Sequence, residues 1–181
     1  METAEIYKQL LAGFGDSSYP AHDFAALQPW LQVVPHRLVP TAAYLQRTEG
    51  LYFDHLACLS ALDYGSEAPP EARFGVVYHL TSLTLNQTLV LKVTAELLPW
   101  AYPVGTEPRL WPTVPSLTGL YGAADWHERE AFDLMGIHFQ GHPDLRRLLL
   151  PDDWVGHPLQ KDYQTEATYH SIAIDYHTDA G

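Results

Sequence analysis

Apolar and polar residues alternate most clearly along two runs in the middle of the chain, residues 74–80 and 89–94. A period of two places successive side chains on opposite faces of a β-strand. Asn86 lies in the short connection between the runs and is the residue there that best tolerates a tight turn. The pattern therefore predicts an antiparallel hairpin. Lys92 and Thr94 fall on one face of its second strand, which indicates that this face is solvated.

The N-terminal part of the chain predicts two helices and a short strand. Thr3 is a suitable N-cap for the first helix, and Gly13 is placed to end it. Residues 30–34 predict a strand, which Pro35 is expected to terminate. Residues 41–46 predict the second helix.

The pattern leaves residues 51–62 undecided. Leu56, Leu59 and Leu62 recur at a spacing that suits a helix, whereas Tyr52 and Phe53 suit a strand. Both assignments stay open.

Prolines interrupt the next segment at five positions between residues 99 and 115. Proline lacks a backbone N–H and fixes φ, so the density of prolines predicts an irregular loop. Trp100, Tyr102 and Trp111 lie within it and argue against disorder, because aromatic side chains favour burial.

A third helix is predicted to begin at Asp125. Glu128 follows three residues later, which is the arrangement of a capping box, and Gly136 supplies a stop signal. Within the helix, an apolar stripe is expected to consist of Trp126, Phe132 and Met135, with Leu134 beside it.

The same helix carries an unusual density of charge. Arg129 and Asp133 stand four residues apart, so we expect an ion pair on the helix surface. Such a pair contributes only a few tenths of a kcal/mol, at roughly 0.2–0.5. It therefore does not explain why so many charged residues occupy so short a helix.

Composition narrows the classes of function. At 181 residues the chain is one domain, or one domain with an arm. A formal charge of −12 argues against binding nucleic acid, which needs cations to displace phosphate counterions. Cys58 is the only cysteine, so the chain cannot hold an iron–sulfur cluster with about four thiolates of its own. No apolar run is long enough to cross a bilayer, so we expect a soluble chain that meets a membrane only through partners.

Histidines and carboxylates raise the alternative of a stand-alone metal-dependent hydrolase. His127-Glu128 begins like a zinc-protease motif, but Ala131 stands where the second ligand of that helix face is needed. Glu128, Glu130 and Asp133 could act as general acids. The favoured interpretation is structural, with one carboxylate capping the helix and the others pairing with Arg129, Arg146 or Arg147.

The spacing of these residues resembles a known signature. The signature begins with Glu128-Arg129-Glu130, and Asp133 follows after two intervening residues. Two apolar residues and then six others separate Asp133 from His142. Three residues separate His142 from Arg146-Arg147. Gly156-His157-Pro158 and Lys161-Asp162-Tyr163 extend the match. This pattern is similar to that of the 30 kDa (C) subunit of proton-translocating NADH:quinone oxidoreductase, or respiratory complex I.

The resemblance covers about residues 51–163 and is most specific over 115–163. It implies a single α+β domain over residues 1–163, with helices packed on a small mixed or antiparallel sheet, and an extended arm at 164–181. The residues that it assigns to the family signature or to contacts with partners are Glu128, Arg129, Glu130, Asp133, His142, Arg146, Arg147, His157, Lys161, Asp162 and Tyr163.

The resemblance also implies that this chain carries no catalytic residues of its own and acts as a subunit of an enzyme complex. The chain would bind no cofactor, while FMN, iron–sulfur clusters and quinone would belong to the complex. Its partners would be the quinone-site (49 kDa) subunit and neighbouring iron–sulfur subunits, at the cytoplasmic face of the bacterial inner membrane. The equivalent subunits of related membrane-bound hydrogenases, or of other quinone-reducing dehydrogenases, share much of the signature and remain alternatives.

Three expectations follow for individual residues. Gln160 and Gln164 depart from the family pattern, which usually has a basic residue and a proline there. Arg146 and Arg147 are expected to point away from the core, and at least one of them to contact a carboxylate of a neighbouring subunit. Residues 164–181 lack a periodic apolar pattern, so we expect a partner to order them.

Overall fold

The computed structural model describes residues 2–102, 107 and 109–174. Its three α-helices are α1 (Thr3–Phe14), α2 (Pro35–Arg47) and α3 (Ala124–Met135). Two single turns of 3-10 helix lie at Asp16–Ser18 and Pro70–Ala72. The described helices have at most 13 residues, and none is long and apolar enough to cross a membrane.

A five-stranded mixed sheet forms the centre of the fold. Its strands are β1 (His22–Asp23), β2 (Trp30–Gln32), β3 (His55–Asp63), β4 (Phe74–Ser82) and β5 (Gln87–Thr94), in the spatial order β1-β2-β5-β4-β3. Within this sheet only β2 and β5 are parallel; the other neighbours are antiparallel. The predicted hairpin is confirmed as β4 and β5, and Asn86 has a positive φ of 50° in its turn.

The prediction of an irregular loop between residues 99 and 115 is wrong. This segment contributes to β6 (Glu96–Trp100) and β7 (Arg109–Pro115), which form a second sheet with β8 (His138–Gln140) in the order β6-β7-β8. Residues 103–106 and 108 lie outside the described residues.

The positions of the prolines explain how these strands tolerate them. Pro99 lies in β6, at the edge of the sheet, and Pro115 is the last residue of β7. Strand β7 pairs with β8 only from Thr113 to Pro115, so at Pro112 it has a described neighbour on one side only. A missing N–H is tolerated where no second strand needs it.

Both N-terminal helices differ from their predicted boundaries. Thr3 is the first residue of α1, not a cap, and the helix continues through Gly13 to end before Gly15, whose φ is 81°. Helix α2 begins six residues earlier than predicted, at Pro35. Proline is favourable at the first helical position because its absent N–H would have no partner there. Pro35 therefore starts a helix as well as following a strand.

Residues 51–62 resolve largely into strand β3, which has an irregularity in its pairing with β4 between Leu56 and Cys58. An extra residue in one strand shifts the alternation of its side chains. Leu56 and Leu59 both remain buried, three positions apart. The irregularity thus accounts for the helix-like spacing of apolar residues in a strand.

The main core lies between the five-stranded sheet and the helices. Its largest side chains without solvent exposure include Tyr78, Phe53 and Phe132. Burial of one such side chain stabilises the fold by roughly 1.5–3 kcal/mol. Tyr121 donates a hydrogen bond to the carbonyl of Phe53 (2.9 Å), which fixes the segment before α3 against the core. The architecture confirms the α+β fold class.

The described part of the C-terminal segment contacts the rest of the chain near Asp153. Residues 168–173 form a two-stranded ribbon, β9 (Thr168–Tyr169) and β10 (Ile172–Ala173). Asp153 accepts a hydrogen bond from Tyr169 Oη (2.7 Å) and pairs with His170 Nε2 (2.6 Å), and the Asp153 and His170 side chains are exposed. Residues 175–181 of the predicted arm lie outside the described residues, so its ordering by a partner stays a prediction.

Candidate functional site

Helix α3 organises the charged residues that the sequence pattern identified. It begins at Ala124, one residue before the predicted cap, and no side chain caps its first turn. Asp125 is thus inside the helix, and the predicted capping box is wrong. The predicted stop is confirmed: Gly136 follows the helix with a φ of 75°. A Cβ at Gly136 would lie 2.6 Å from the His157 ring, so only glycine fits this contact.

Glu128 is a buried carboxylate that anchors the turn before the helix. It accepts hydrogen bonds from the Ser116 hydroxyl (2.6 Å) and the Leu117 N–H (2.7 Å), and its side chain has no solvent exposure. Burial raises the pKa of Glu128 to about 7, because the hydrogen bonds compensate only part of the lost hydration. Glu128 therefore contributes to the interior of the fold and is not available to a partner.

Asp133 lies at the centre of a second buried network. Its Oδ2 accepts hydrogen bonds from three successive backbone N–H groups, those of Leu148 (3.0 Å), Leu149 (2.7 Å) and Leu150 (2.9 Å). Its Oδ1 accepts from Arg147 Nη1 at 2.8 Å. Burial acts to raise the pKa of Asp133, but these hydrogen bonds outweigh it and the net pKa is lowered.

Arg147 completes the network from the other side. Besides Asp133, its guanidinium donates to the carbonyls of Trp154 (3.0 Å) and Gly156 (3.0 Å). The Arg147 side chain is 6% exposed, so the expectation that it points away from the core is wrong. An arginine has five donors in a planar fork, which suits one carboxylate and two carbonyls together. The irregular segment 147–156 is consequently fastened to the end of α3.

Arg129 does not form the predicted pair with Asp133. Its guanidinium donates to the carbonyls of Arg146 (3.4 Å) and Arg147 (3.2 Å), while Asp133 is directed at the backbone of 148–150. The guanidinium carbon of Arg129 also lies 5.4 Å from the ring centroid of Trp126. Trp126 is 61% exposed, so the predicted apolar stripe is wrong for this residue and right for the buried Phe132 and Met135.

A third network joins the signature segment to the central sheet. Arg73 donates to Asp63 (3.0 Å) and to Asp162 (2.6 Å), and the Lys161 N–H donates to Asp63 at 2.9 Å. Burial acts to raise the pKa of Asp63, but the hydrogen bonds from Arg73, Lys161 and Gly65 lower it to about 2. The sequence pattern identified Lys161 and Asp162 but not Arg73, whose spacing carried no signal.

The two Gly-His-Pro turns place their histidines apart. His142 Nε2 hydrogen-bonds the carbonyl of Asp125 (3.2 Å) and lies equally close to its Oδ1, near the start of α3. His157 Nδ1 contacts the carbonyl of Asp133 (2.8 Å), near the helix end. Within the described residues, no three His, Cys, Asp or Glu side chains are grouped so that they could hold a metal ion. Each histidine therefore serves to hold one end of α3.

Few signature side chains remain available on the surface. Glu130 is exposed, and Arg146 is exposed and paired with Asp144 at 2.9 Å. Lys161 is also exposed, whereas Tyr163 is half-buried and accepts a hydrogen bond from Trp154 Nε1 at 3.1 Å. A partner cannot contact the buried members without opening the fold; these are Glu128, Arg129, Asp133, Arg147 and His157. The structure thus divides the signature into an internal set and a surface set.

Comparison with known proteins decides the family. The model of the family "Respiratory-chain NADH dehydrogenase, 30 Kd subunit" matches residues 31–169. The chain belongs to this family. The matched residues include the central sheet from β2 onward, helix α3 and the three charged networks, which are centred on Glu128, on Asp133 with Arg147, and on Asp63 with Arg73.

Individual relatives of the 30 kDa subunit family agree with this assignment. The C subunit of the NADH-quinone oxidoreductase of Chlorobium phaeobacteroides is 38% identical over 165 residues, which cover 90% of this chain and 89% of that protein. Its counterpart in Chloroherpeton thalassium is 43% identical over 136 residues, or 75% of this chain, but the match spans only 50% of that longer protein. A solved structure titled as the trypsin-resistant fragment of Nqo5 superposes with a TM-score of 0.60 at 29% identity, covering 80% of this chain and all of that one.

One departure from the family pattern has a structural role here. Gln160 stands where the resemblance expects a basic residue, and its Nε2 donates to the carbonyl of Met135 at 2.8 Å. The last carbonyls of a helix lack intrahelical partners, and a side-chain amide satisfies one of them as a cation would. Gln160 therefore supports the end of α3 without an added charge.

Proposed function

We propose that the chain is a structural subunit of the peripheral arm of a proton-translocating NADH:quinone oxidoreductase. In that role it holds the quinone-site subunit in position while neighbouring subunits carry electrons from NADH to quinone. The family match over residues 31–169 and the names of the relatives support the assignment to this complex. One structural observation supports a scaffolding role: Asp133 and Arg147 of the signature bind each other and backbone groups of this chain.

The hydrogen bonds of Asp133 and Arg147 stabilise the shape of the fold and do not form a reaction centre. Catalytic groups need access to a substrate, whereas the Asp133 and Arg147 side chains are buried and already hydrogen-bonded. They fix a segment that has little regular secondary structure of its own, residues 141–163, on α3 and on the central sheet. A rigid surface of this kind suits a subunit that keeps two others in register.

Cofactors would reside in the partners. Cys58 is the only cysteine of the sequence, while an iron–sulfur cluster takes about four thiolates. FMN, the clusters and the quinone site would thus belong to neighbouring subunits, chiefly the quinone-site subunit and the iron–sulfur subunits. The chain would reach the cytoplasmic face of the bacterial inner membrane through those partners.

Contacts with the partners are proposed for the surface set. Glu130, Arg146 and Lys161 are exposed and lie on the part of the chain that the three networks hold rigid. The Arg146 and Asp144 side chains are both exposed, so breaking their ion pair to contact another carboxylate costs little free energy. The segment 164–174 is mostly exposed and is proposed to lie on a partner.

Gene deletion and complementation test the proposed function. In the native organism, membranes from the deletion strain should lose NADH:quinone activity, and a tagged copy of the chain should restore it and co-purify with the other subunits. The purified chain alone should oxidise no NADH and contain no flavin. Recovery with hydrogenase subunits would assign the chain to the related enzyme instead. Full activity of the deletion membranes, or flavin-dependent NADH oxidation by the purified chain, would overturn the proposal.

Amide exchange tests the arm separately. Residues 164–174 should exchange rapidly in the free chain and slowly in the purified complex, because few of their groups are buried within the chain. Strong protection in the free chain would show that the segment is ordered without a partner.

A further inference from the structure

A groove of about 230 Å³ lies between helix α3 and strand β3, apart from the three charged networks. Leu59 of β3 and Ala131 and Met135 of α3 contribute buried apolar surface to it. Glu130 of the helix and Leu159 of the following loop contribute exposed side chains. His127 and Ser60 also line the groove, which thus combines a largely apolar lining with one exposed carboxylate.

The shape of the groove is fixed by hydrogen bonds. The Leu159 N–H donates to the carbonyl of Leu134 at 2.9 Å, and the side chain of the next residue, Gln160, donates to that of Met135 at 2.8 Å. These bonds hold the Leu159 backbone against the end of α3, although the Leu159 side chain is 57% exposed. An exposed leucine on a fixed backbone gives a preformed apolar wall, which reduces the entropy lost when a partner binds.

The charges of the groove favour a cationic occupant. Among the described residues, Glu130 forms no ion pair, and the groove lining contains no lysine or arginine. The chain as a whole carries a formal charge of −12, which attracts positively charged surfaces. Lysine and arginine bury an aliphatic stem while keeping a charged head at the rim, so they match both parts of the groove.

We propose that this groove is a docking site for an adjacent protein subunit, which inserts one arginine or lysine side chain. The aliphatic stem packs between Leu159 and Met135, and the cationic head pairs with Glu130. The proposal rests on the proposed function in one respect, that the adjacent subunit belongs to the same complex. It adds the chemistry of the partner segment and the place where that segment binds.

Matched substitutions test the groove in the complemented deletion strain. Glu130→Gln and Leu159→Ser should each lower the recovery of intact complex about five-fold to ten-fold. Recovery of the wild-type complex should fall as the salt concentration of the purification is raised, and recovery of the Glu130→Gln complex should change less. Glu49→Gln and Leu83→Ser are the controls, because both residues are exposed outside the groove lining. Thermal unfolding of each purified chain should be unchanged, which separates docking from folding.

A photo-cross-linking amino acid at position 159 identifies the occupant in the purified complex. The expected product joins the chain to a peptide of another subunit that contains arginine or lysine. A cross-link to this chain's own tail or to a second copy of it, or a peptide without a cation, would refute the proposal. Equal recovery of groove and control variants would refute it as well. Failure of even the wild-type chain to co-purify with the complex would instead refute the proposed function.

Discussion

Replacement of Glu128 by glutamine should make the fold more stable at alkaline pH. The carboxylate is buried and accepts its two hydrogen bonds from Ser116 and Leu117. Glutamine has the same shape, and it can still accept from the Leu117 N–H through its oxygen and donate to Ser116 through its amide. Glu128→Gln therefore removes the buried charge while keeping the contacts.

The size of the effect follows from the pKa of Glu128. The pKa rises from 4.5 to about 7 in the folded chain, and each pKa unit corresponds to about 1.36 kcal/mol. Between these two values the folded state binds more protons than the unfolded state, so the stability of the wild-type chain falls as the pH rises. Above about pH 7 the loss from this one group is complete and amounts to roughly 3 kcal/mol.

Urea unfolding of wild-type and Glu128→Gln chains at pH 5, 6, 7 and 8 measures the difference. Because all other groups titrate alike in both chains, the difference in free energy of unfolding isolates Glu128. It should be small near pH 5 and should grow in favour of the glutamine variant to roughly 3 kcal/mol at pH 8. Glu130→Gln, at an exposed carboxylate of the same helix, is the matched control for the removal of one negative charge.

Two results would refute this reasoning. A difference that stays constant from pH 5 to pH 8 would mean that Glu128 does not change protonation in this range. A glutamine variant that is less stable than wild type at pH 8 would mean that the ionised carboxylate stabilises the fold, through its hydrogen bonds to Ser116 and Leu117.

Asp133→Asn should destabilise the fold by about 3–5 kcal/mol in urea unfolding, because Arg147 would keep a buried charge without its counter-ion. Asp144→Asn, at an exposed pair, is the control and should have a much smaller effect. In a double-mutant cycle, Arg147→Met added to Asp133→Asn should cost less than it does alone, and strictly additive costs would contradict the pairing. Gly136→Ala should lower the thermal midpoint of unfolding because of its φ of 75° and the His157 ring, whereas Gly122→Ala, which has open space around it, should not. Equal effects of the two alanines would contradict the close contact.

Sequence patterns predicted those parts of the fold whose determinants are local. The hairpin of β4 and β5 was predictable because each strand alternates over its own length and Asn86 adopts the required positive φ. The end of α3 was predictable because Gly136 marks it within one residue. The prolines between residues 99 and 115 led to a wrong prediction of a loop. Whether a strand tolerates a proline depends on which of its sides has a neighbouring strand, as the pairing of β7 shows. That is a property of the sheet and not of the segment.

The charged network of the candidate site needed the tertiary structure. Asp133 has Arg129 four residues away, which satisfies the rule for a helical ion pair, yet it binds Arg147 and the backbone of 148–150. The partners are 14–17 residues away across irregular backbone, where no periodicity indicates a contact. The burial of two charged residues was not predictable either: Glu128 and Arg147 both lie in the interior of the fold.

The carboxylate of Asp133 has a consequence for what the family signature records. Three consecutive N–H groups and one guanidinium converge on it, and all of them come from this chain. A substitution there would be selected against even in a chain that had lost every partner, because the fold itself would suffer first. The requirements of the fold alone thus account for the residues at the Asp133 and Arg147 positions of the motif. The evolution of the assembly has to be traced instead at exposed positions such as Glu130, where a change in this protein can be answered by a change in another.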